Sequence, residues 1–173
     1  MIPGSIEERY RIELLAAHHD RRGFRCGQPA LEDYLARRAA QDVKRKVASV
    51  FVAAERASGE LAGFYSLSMA AVRLSRQPEA IAKKLPRYPA VPAVRLGRLA
   101  VAREAQGRGL GKYLLLDALA RSLANEIAWA AFIVDAKDDR ARGWYEGLGF
   151  HSFSDDAHHL YLMRTTIDAL GLL

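Results

Sequence analysis

The sequence predicts a mixed α/β (α+β) fold, and three observations carry that prediction. An apolar run of strand length (Val94, Leu96, Leu99, Ala100 and Val101) passes through the turn Gln106-Gly107-Arg108-Gly109-Leu110-Gly111 into a helix. A β-branched and aromatic run, Val47 to Ala57, is joined by Ser58-Gly59 to a second run, Leu61 to Val72, as a hairpin. After the central helix, strand and helix patterns follow one another with no linker, internal repeat or low-complexity tract.

In chain order, Arg9 to Leu15 reads as a first strand, with a short helix as the alternative. His18-His19-Asp20-Arg21-Arg22-Gly23 is a polar loop, so its two histidines are expected to be solvated rather than catalytic. Cys26 has no visible neighbour to lower its pKa and is expected to be a buried structural thiol. Gly27-Gln28 break the chain and Pro29 suits a first helical position. A helix then runs to about Arg45, with Leu31, Leu35 and Ala39 on one stripe. Pro78 to Lys84 forms a short helix, and Leu85 to Pro92 is extended because proline disfavours helix in the residue before it. The central helix spans Leu110 to Asn125, with Leu110, Leu114, Leu115, Ala118 and Leu119 at helical spacing. Ile127 to Asp135 is a strand carrying Trp129, Phe132, Ile133 and Val134. Asp138 caps a short helix, Arg140 to Gly147. Phe150 to Phe153 and His159 to Arg164 close the sheet.

A glycine turn between strand and helix leaves N–H groups free at the positive end of the helix dipole, with no side chain blocking approach. That suits a phosphate. It is not a Walker loop: Gln106 stands where the first glycine belongs, and Tyr113 follows Gly111-Lys112 in place of Ser or Thr. It is not a dinucleotide fingerprint either, because Lys112 occupies the third glycine position after Gly107 and Gly109.

Composition narrows the class. The chain has 173 residues, 50% hydrophobic and 27% charged, which is ordinary for one soluble globular domain spanning residues 1–173. No run approaches the ~18 apolar residues of a membrane span. Met1 to Glu8 lacks a secretion signal, and the single Cys26 forms no internal disulfide, so a cytoplasmic location is expected. Histidines in adjacent pairs and one cysteine offer no metal-ligand spacing, and no metal is expected. The net charge of +6 attracts polyanions, with plain solubility as the alternative. Its densest part is Arg37, Arg38, Lys44, Arg45 and Lys46, where Asp42 is the one acidic neighbour. Arg37 and Lys44 fall together away from the apolar stripe, and Arg38 and Arg45 lie together on its flank. Lys83, Lys84 and Arg87 add to the charge. Nucleic-acid contact and a solvated helix face both remain open.

The segment Gln106-x-x-Gly109-x-Gly111, after a strand ending in Leu99-Ala100-Val101, resembles the acetyl-CoA-binding segment of the GNAT N-acetyltransferases. The stretch Ala141 to Phe150, which reads small-x-x-aromatic-Tyr-x-x-x-Gly-Phe, is similar to a second motif of that family. Further matches resemble a subgroup, the acetyltransferase toxins of bacterial toxin–antitoxin operons, which acetylate aminoacyl-tRNA. These are Phe24-Arg25-Cys26-Gly27, Phe64-Tyr65-Ser66-Leu67-Ser68, Lys84-Leu85-Pro86-Arg87-Tyr88-Pro89, Leu96-Gly97-Arg98-Leu99-Ala100-Val101 and Trp144-Tyr145. They span roughly Phe24 to Arg164. Gly143-Trp144 departs from the bulky-aromatic pair that relatives often carry.

The resemblance implies the GNAT fold, a mixed central sheet of six to seven strands flanked by about four helices, with acetyl-CoA as cosubstrate. Backbone N–H groups of Leu99, Ala100 and Val101 would meet the pantetheine arm and the developing oxyanion. The phosphates would rest on the turn from Gln106 through Gly107, Arg108, Gly109 and Leu110 to Gly111, with Arg103, Arg108 and Lys112 as nearby cations. Tyr145 would face the thioester sulfur; with a pKa near ~10 it stays protonated at neutral pH and can act as general acid. Packing is the other role open to it, though Trp144, Leu148 and Phe150 are the better packing candidates. Arg37, Arg38, Lys44, Arg45, Lys83, Lys84 and Arg87 would bind the tRNA backbone. An antitoxin protein and a homodimer are implied as partners. No His or Glu stands out as a base in either motif, which suits an α-amino acceptor (pKa ~7.8) better than a lysine (~10.4). Two alternatives stay open: an acetyltransferase for a small amine or protein N-terminus, and a non-catalytic acetyl-CoA- or RNA-binding module.

Overall fold

The structure, a computed structural model, describes residues 4–73 and 89–171. The expected helix Pro78 to Lys84, the extended stretch from Leu85 to Tyr88, and the cations Lys83, Lys84 and Arg87 lie outside the described residues. Among those described, the strands are β1 (Tyr10–Leu14), β2 (Ser49–Glu55), β3 (Leu61–Arg73), β4 (Ala90–Val101), β5 (Ala131–Asp135), β6 (His151–Ser152) and β7 (His159–Met163). The helices are α1 (Ile6–Arg9), α2 (Pro29–Asp33), α3 (Ala39–Lys44), α4 (Leu110–Leu123), α5 (Asp139–Gly147) and α6 (Arg164–Ala169). The strands form a 7-stranded sheet in the order β1-β2-β3-β4-β5-β7-β6. The chain divides into two compact units, Met1–Ser68 with Arg98–Leu119, and Met69–Gly97 with Ala120–Leu173.

In the first unit the strand reading of Arg9 to Leu15 holds as β1 and its helix alternative does not; a short helix, α1, that was not expected comes just before it. Ser5 and Glu8 form a capping box that starts α1, and the chain then extends into β1. β1 pairs antiparallel with β2, and β2 with β3 as the expected hairpin, with a bulge at Ala53/Ala54. Phe64 of β3 anchors the core. Phe24 meets it edge-on at 5.6 Å and Tyr34 stacks on it at 6.2 Å. Gly63 is required by a close approach. A Cβ there would lie 2.8 Å from Leu114 Cδ1 and 2.9 Å from the Ala100 carbonyl, so its absence lets α4 lie down on the strands.

The expected helix from Pro29 departs from regularity in its middle. Between α2 and α3 the residues Tyr34–Arg38 form a π-helical segment, in which the Ala39 N–H reaches back to the Tyr34 carbonyl. Leu35 and Ala39 of the apolar stripe are fully buried, and Leu31 is half-buried.

In the second unit β4 runs parallel to β5, with Ala93 to Leu96 opposite Ala131 to Val134. β5 pairs antiparallel with β7, and β7 with β6. Val72, Val91, Ala93, Ala131, Ile133, Phe153 and Tyr161 form one buried cluster. β5 begins later than expected because Trp129 is used before it: its indole N–H donates to the Ser122 carbonyl at 2.9 Å, and Arg164 lies over the ring. Asp138 caps α5 by accepting the Ala141 N–H at 2.8 Å.

Candidate active site

β4 ends at Val101, and Arg103–Ala105 make one tight turn before the glycine segment. Leu99, Ala100 and Val101 lie past the end of the parallel register, which stops at Leu96. Gln106 braces the turn. Its side-chain amide donates to the carbonyls of Val101 and Cys26, each at 3.0 Å, tying the end of β4 to the loop before α2. Gly107 and Gly109 adopt φ of +75° and +87°, a conformation available to glycine at little cost. A Cβ on Gly107 would meet nothing, so the space above it is open, and on Gly109 it would meet only Ile6 Cδ1 at 3.3 Å.

Among the described residues, no protein acceptor takes the backbone N–H of Gly107, Arg108, Gly109, Leu110, Gly111 or Lys112. The first helical bond at this end is from Tyr113 to the Gly109 carbonyl. A row of unmatched donors at the start of the 14-residue α4 is suited to receiving an anion. Arg103, Arg108 and Lys112 are exposed beside it. The Arg103 guanidinium closes over Gly27, where a Cβ would stand 3.3 Å from its Nε.

Tyr145 belongs to the second unit. Its ring is buried, with Trp144 at 5.0 Å and Phe150 at 5.5 Å, both edge-on. Its hydroxyl makes no hydrogen bond among the described residues. Burial first, and the Asp135 charge second, push the phenol above its ordinary pKa. The group is therefore a proton donor and not a base. A buried hydroxyl without a partner is costly and calls for a ligand or a function. Of the expected packing residues, Phe150 is buried and Leu148 half-buried, whereas Trp144 is 38% exposed because it sits on the outer side of α5.

Arg37, Arg38, Lys44 and Arg45 are all exposed. Their charge is less unopposed than expected, since Asp33 lies 3.2 Å from both Arg37 and Arg38. Asp42, read as the one acidic neighbour, is instead hydrogen-bonded by the Tyr34 hydroxyl at 2.9 Å. Lys44 and Arg45 make no ion pair among the described residues. Arg37 also borders an open cleft of about 620 Å³, lined in addition by Arg22, Arg25, Glu32 and Asp33.

The reading of the polar loop needs correction. His19 is buried, with Nδ1 accepting the Ala16 N–H at 2.9 Å and Nε2 facing Glu13 at 2.8 Å. Glu13, His18 and His19 bring potential ligand atoms within 4.8 Å of one another. Yet Nδ1 is an acceptor, so Nε2 carries the proton and donates to Glu13. The cluster is accounted for by its own hydrogen bonds. Cys26 is buried, as expected.

A strand, an amide-lined glycine turn and a long helix in a sheet of this order define an acetyltransferase. The model of the acetyltransferase (GNAT) family matches residues 8–150, and the chain belongs to that family. It is 36% identical over 149 residues to a tRNA-acetylating toxin of Mycobacterium tuberculosis, covering 85% of this chain and 87% of the relative. Among solved structures it is similar to AtaT complexed with acetyl-methionyl-tRNAfMet, at a TM-score of 0.85 and 26% identity over 94% of this chain and 99% of that one. It is also similar to AtaTR bound with acetyl-CoA, at a TM-score of 0.80 and 27% identity over 95% and 99% of the two chains.

Proposed function

We propose that this acetyltransferase is a toxin that acetylates the α-amino group of aminoacyl-tRNA, using acetyl-CoA, and so blocks translation. The row of unmatched N–H groups from Gly107 to Lys112 carries this reading, because it matches the diphosphate of coenzyme A in charge and in approach. Similarity to a tRNA-acetylating toxin and to AtaT with acetyl-methionyl-tRNAfMet supports the acceptor class.

Acetyl-CoA supplies the acetyl group as a thioester. The amides of Gly107 to Gly111 bind the diphosphate, Arg103, Arg108 and Lys112 screen its charge, and Gln106 holds the turn in shape. The N–H groups of Leu99, Ala100 and Val101 orient the pantetheine arm and the acetyl oxygen. Tyr145 gives its proton to the leaving sulfur. Arg37, Arg38, Lys44 and Arg45, with Lys83, Lys84 and Arg87, hold the tRNA backbone. Residues 1–173 act as one catalytic domain, in the cytoplasm where charged tRNA is found. Among the described residues, no helix is long and apolar enough to cross a membrane. A homodimer and an antitoxin partner are proposed from the family resemblance.

Incubation with labelled acetyl-CoA and bulk charged tRNA tests the reading. Label is expected in N-acetylaminoacyl-tRNA. Label found only in small amines or protein N-termini would move the chain to another acceptor class.

A further inference from the structure

We propose that Arg98 is a specificity residue for the acceptor: its guanidinium holds the 5′-phosphate of the nucleotide that carries the amine. This rests on the acetyl-transfer reading above and deepens it, because it separates an RNA-borne amine from a small one at the site of transfer.

Arg98, Tyr34, Asp42 and the segment Leu99 to Val101 all belong to the first unit. Arg98 is half-buried near the end of β4, and its guanidinium carbon stands 3.6 Å from the centre of the Tyr34 ring. That ring is fully buried and stacked on Phe64 at 6.2 Å, so it holds the guanidinium in one place. One flat face of the guanidinium is spent on the ring. Its N–H donors lie in the plane of the group and remain available. Among the described residues, no carboxylate, hydroxyl or carbonyl takes any of them. Asp42 meets the same ring at its hydroxyl, at 2.9 Å, and makes no ion pair with Arg98. Arg95, the other arginine of β4, differs: its Nε donates to Asp135 at 3.0 Å.

A fixed, half-buried cation with an unspent planar fork matches a phosphate, which takes two parallel N–H bonds at once. Partial burial makes such a pair worth more than one in open water. The cations on α3 are different in kind. Lys44 and Arg45 are exposed and suit backbone phosphates of any sequence or strand, whereas Arg98 serves a single place.

Position decides whose phosphate it is. Arg98 directly precedes Leu99, Ala100 and Val101, the amides assigned to the pantetheine arm and the acetyl oxygen. The diphosphate of coenzyme A belongs to the amides of Gly107 to Lys112, a whole pantetheine arm from the acetyl group. An anion beside the acetyl group therefore arrives with the acceptor. In aminoacyl-tRNA the amine is joined through its ester to the terminal ribose, whose 5′ oxygen bears a phosphodiester. The span from amine to phosphorus is comparable with the reach of an arginine side chain. A small amine or a protein N-terminus has no phosphate at that place.

The test uses two acceptors that differ only in this group, 3′-glycylamino-3′-deoxyadenosine with and without a 5′-phosphate. The measurement is kcat/KM for each, in the parent and in Arg98→Gln. The parent is expected to prefer the phosphorylated acceptor by about tenfold or more, and Arg98→Gln to take the two alike. The preference is a ratio within one protein, so a general loss of fold or rate leaves it unmoved. A preference that survives in Arg98→Gln overturns the proposal. So does a parent that shows none while acetylating charged tRNA, a result that needs no variant to fold. Equal losses on both acceptors with weaker acetyl-CoA binding would give Arg98 to the cofactor and overturn it too. If the parent acetylates glycinamide but neither charged tRNA nor either nucleoside, the aminoacyl-tRNA reading itself fails, and the role of Arg98 falls with it.

Discussion

The Arg98 guanidinium lies 3.6 Å from the centre of the Tyr34 ring, and the Tyr34 hydroxyl donates to Asp42 at 2.9 Å. One buried ring thus ties the end of β4 to the π-helical segment and to α3. Tyr34→Phe should cost about 1 kcal/mol by removing the donor to Asp42. Arg98→Ala should cost about 1 to 2 kcal/mol by removing a desolvated cation–π interaction. In urea denaturation the two single-variant costs should sum to more than the double variant's, because both act through one ring.

The same residue sets an alkaline limit. Burial, then the hydrogen bond to Asp42, push the Tyr34 pKa up to about 12. A phenol whose folded pKa lies above its unfolded value of ~10 adds stability that is fully present below pH ~10 and lost as pH rises toward 12. The unfolding free energy of the parent should fall across that window. Tyr34→Phe should show a shallower fall, and an identical slope would deny Tyr34 this role.

Removing the unmatched hydroxyl at Tyr145 separates chemistry from packing. Tyr145→Phe keeps the ring between Trp144 and Phe150 and deletes a buried group with no protein partner. Stability should stay level or rise slightly, acetyl-CoA affinity should be nearly unchanged, and acetyl transfer should drop about a hundredfold. Equal reductions in affinity and rate would assign the residue to cofactor binding.

Two glycines should fail in different assays. Gly63→Ala drives a Cβ against Leu114 and the Ala100 carbonyl, so it should lower stability by about 1 to 3 kcal/mol in thermal unfolding. Gly107→Ala meets no atom but strains a φ of +75°, at about 1 kcal/mol. Its main effect should be weaker acetyl-CoA binding, read by calorimetry, as the methyl group enters the open space above the amides.

Charge reversal distinguishes the two halves of the basic helix. Lys44→Glu with Arg45→Glu removes cations without an ion pair among the described residues, whereas Arg37 and Arg38 already share Asp33. The Lys44/Arg45 reversal should weaken tRNA modification more than reversal of Arg37 and Arg38. It should also flatten the salt dependence by about one unit of slope for each phosphate that is no longer neutralised. Acetyl-CoA hydrolysis should survive. Unchanged RNA modification would make α3 a solvated face.

The central strand, turn and helix were legible because glycine spacing and apolar period are local signals. The Asp138 cap and the β2–β3 hairpin were readable for the same reason. The misses came from tertiary geometry. His19 looked solvated in a charged loop, but the chain folds back so that the Ala16 N–H meets its Nδ1. Asp33 could have been found as a counter-charge to Arg37, four residues on, whereas its reach to Arg38 needs the widened helical turn. The start of α1 could have been found, since Ser5 and Glu8 have capping-box spacing.

The widened turn at Tyr34–Arg38 makes the helix sensitive to length as well as to chemistry. Deleting one residue there would let the helix regularise with everything after it near its present bearing, whereas closing the same five residues on ordinary spacing would swing the rest by roughly 100° about the axis. In the second case Ala39, now fully buried, would rotate off its seat, and Lys44 and Arg45 would aim along a new bearing with every cation still present. The direction in which this helix offers its charge is thus encoded by how many residues the turn contains.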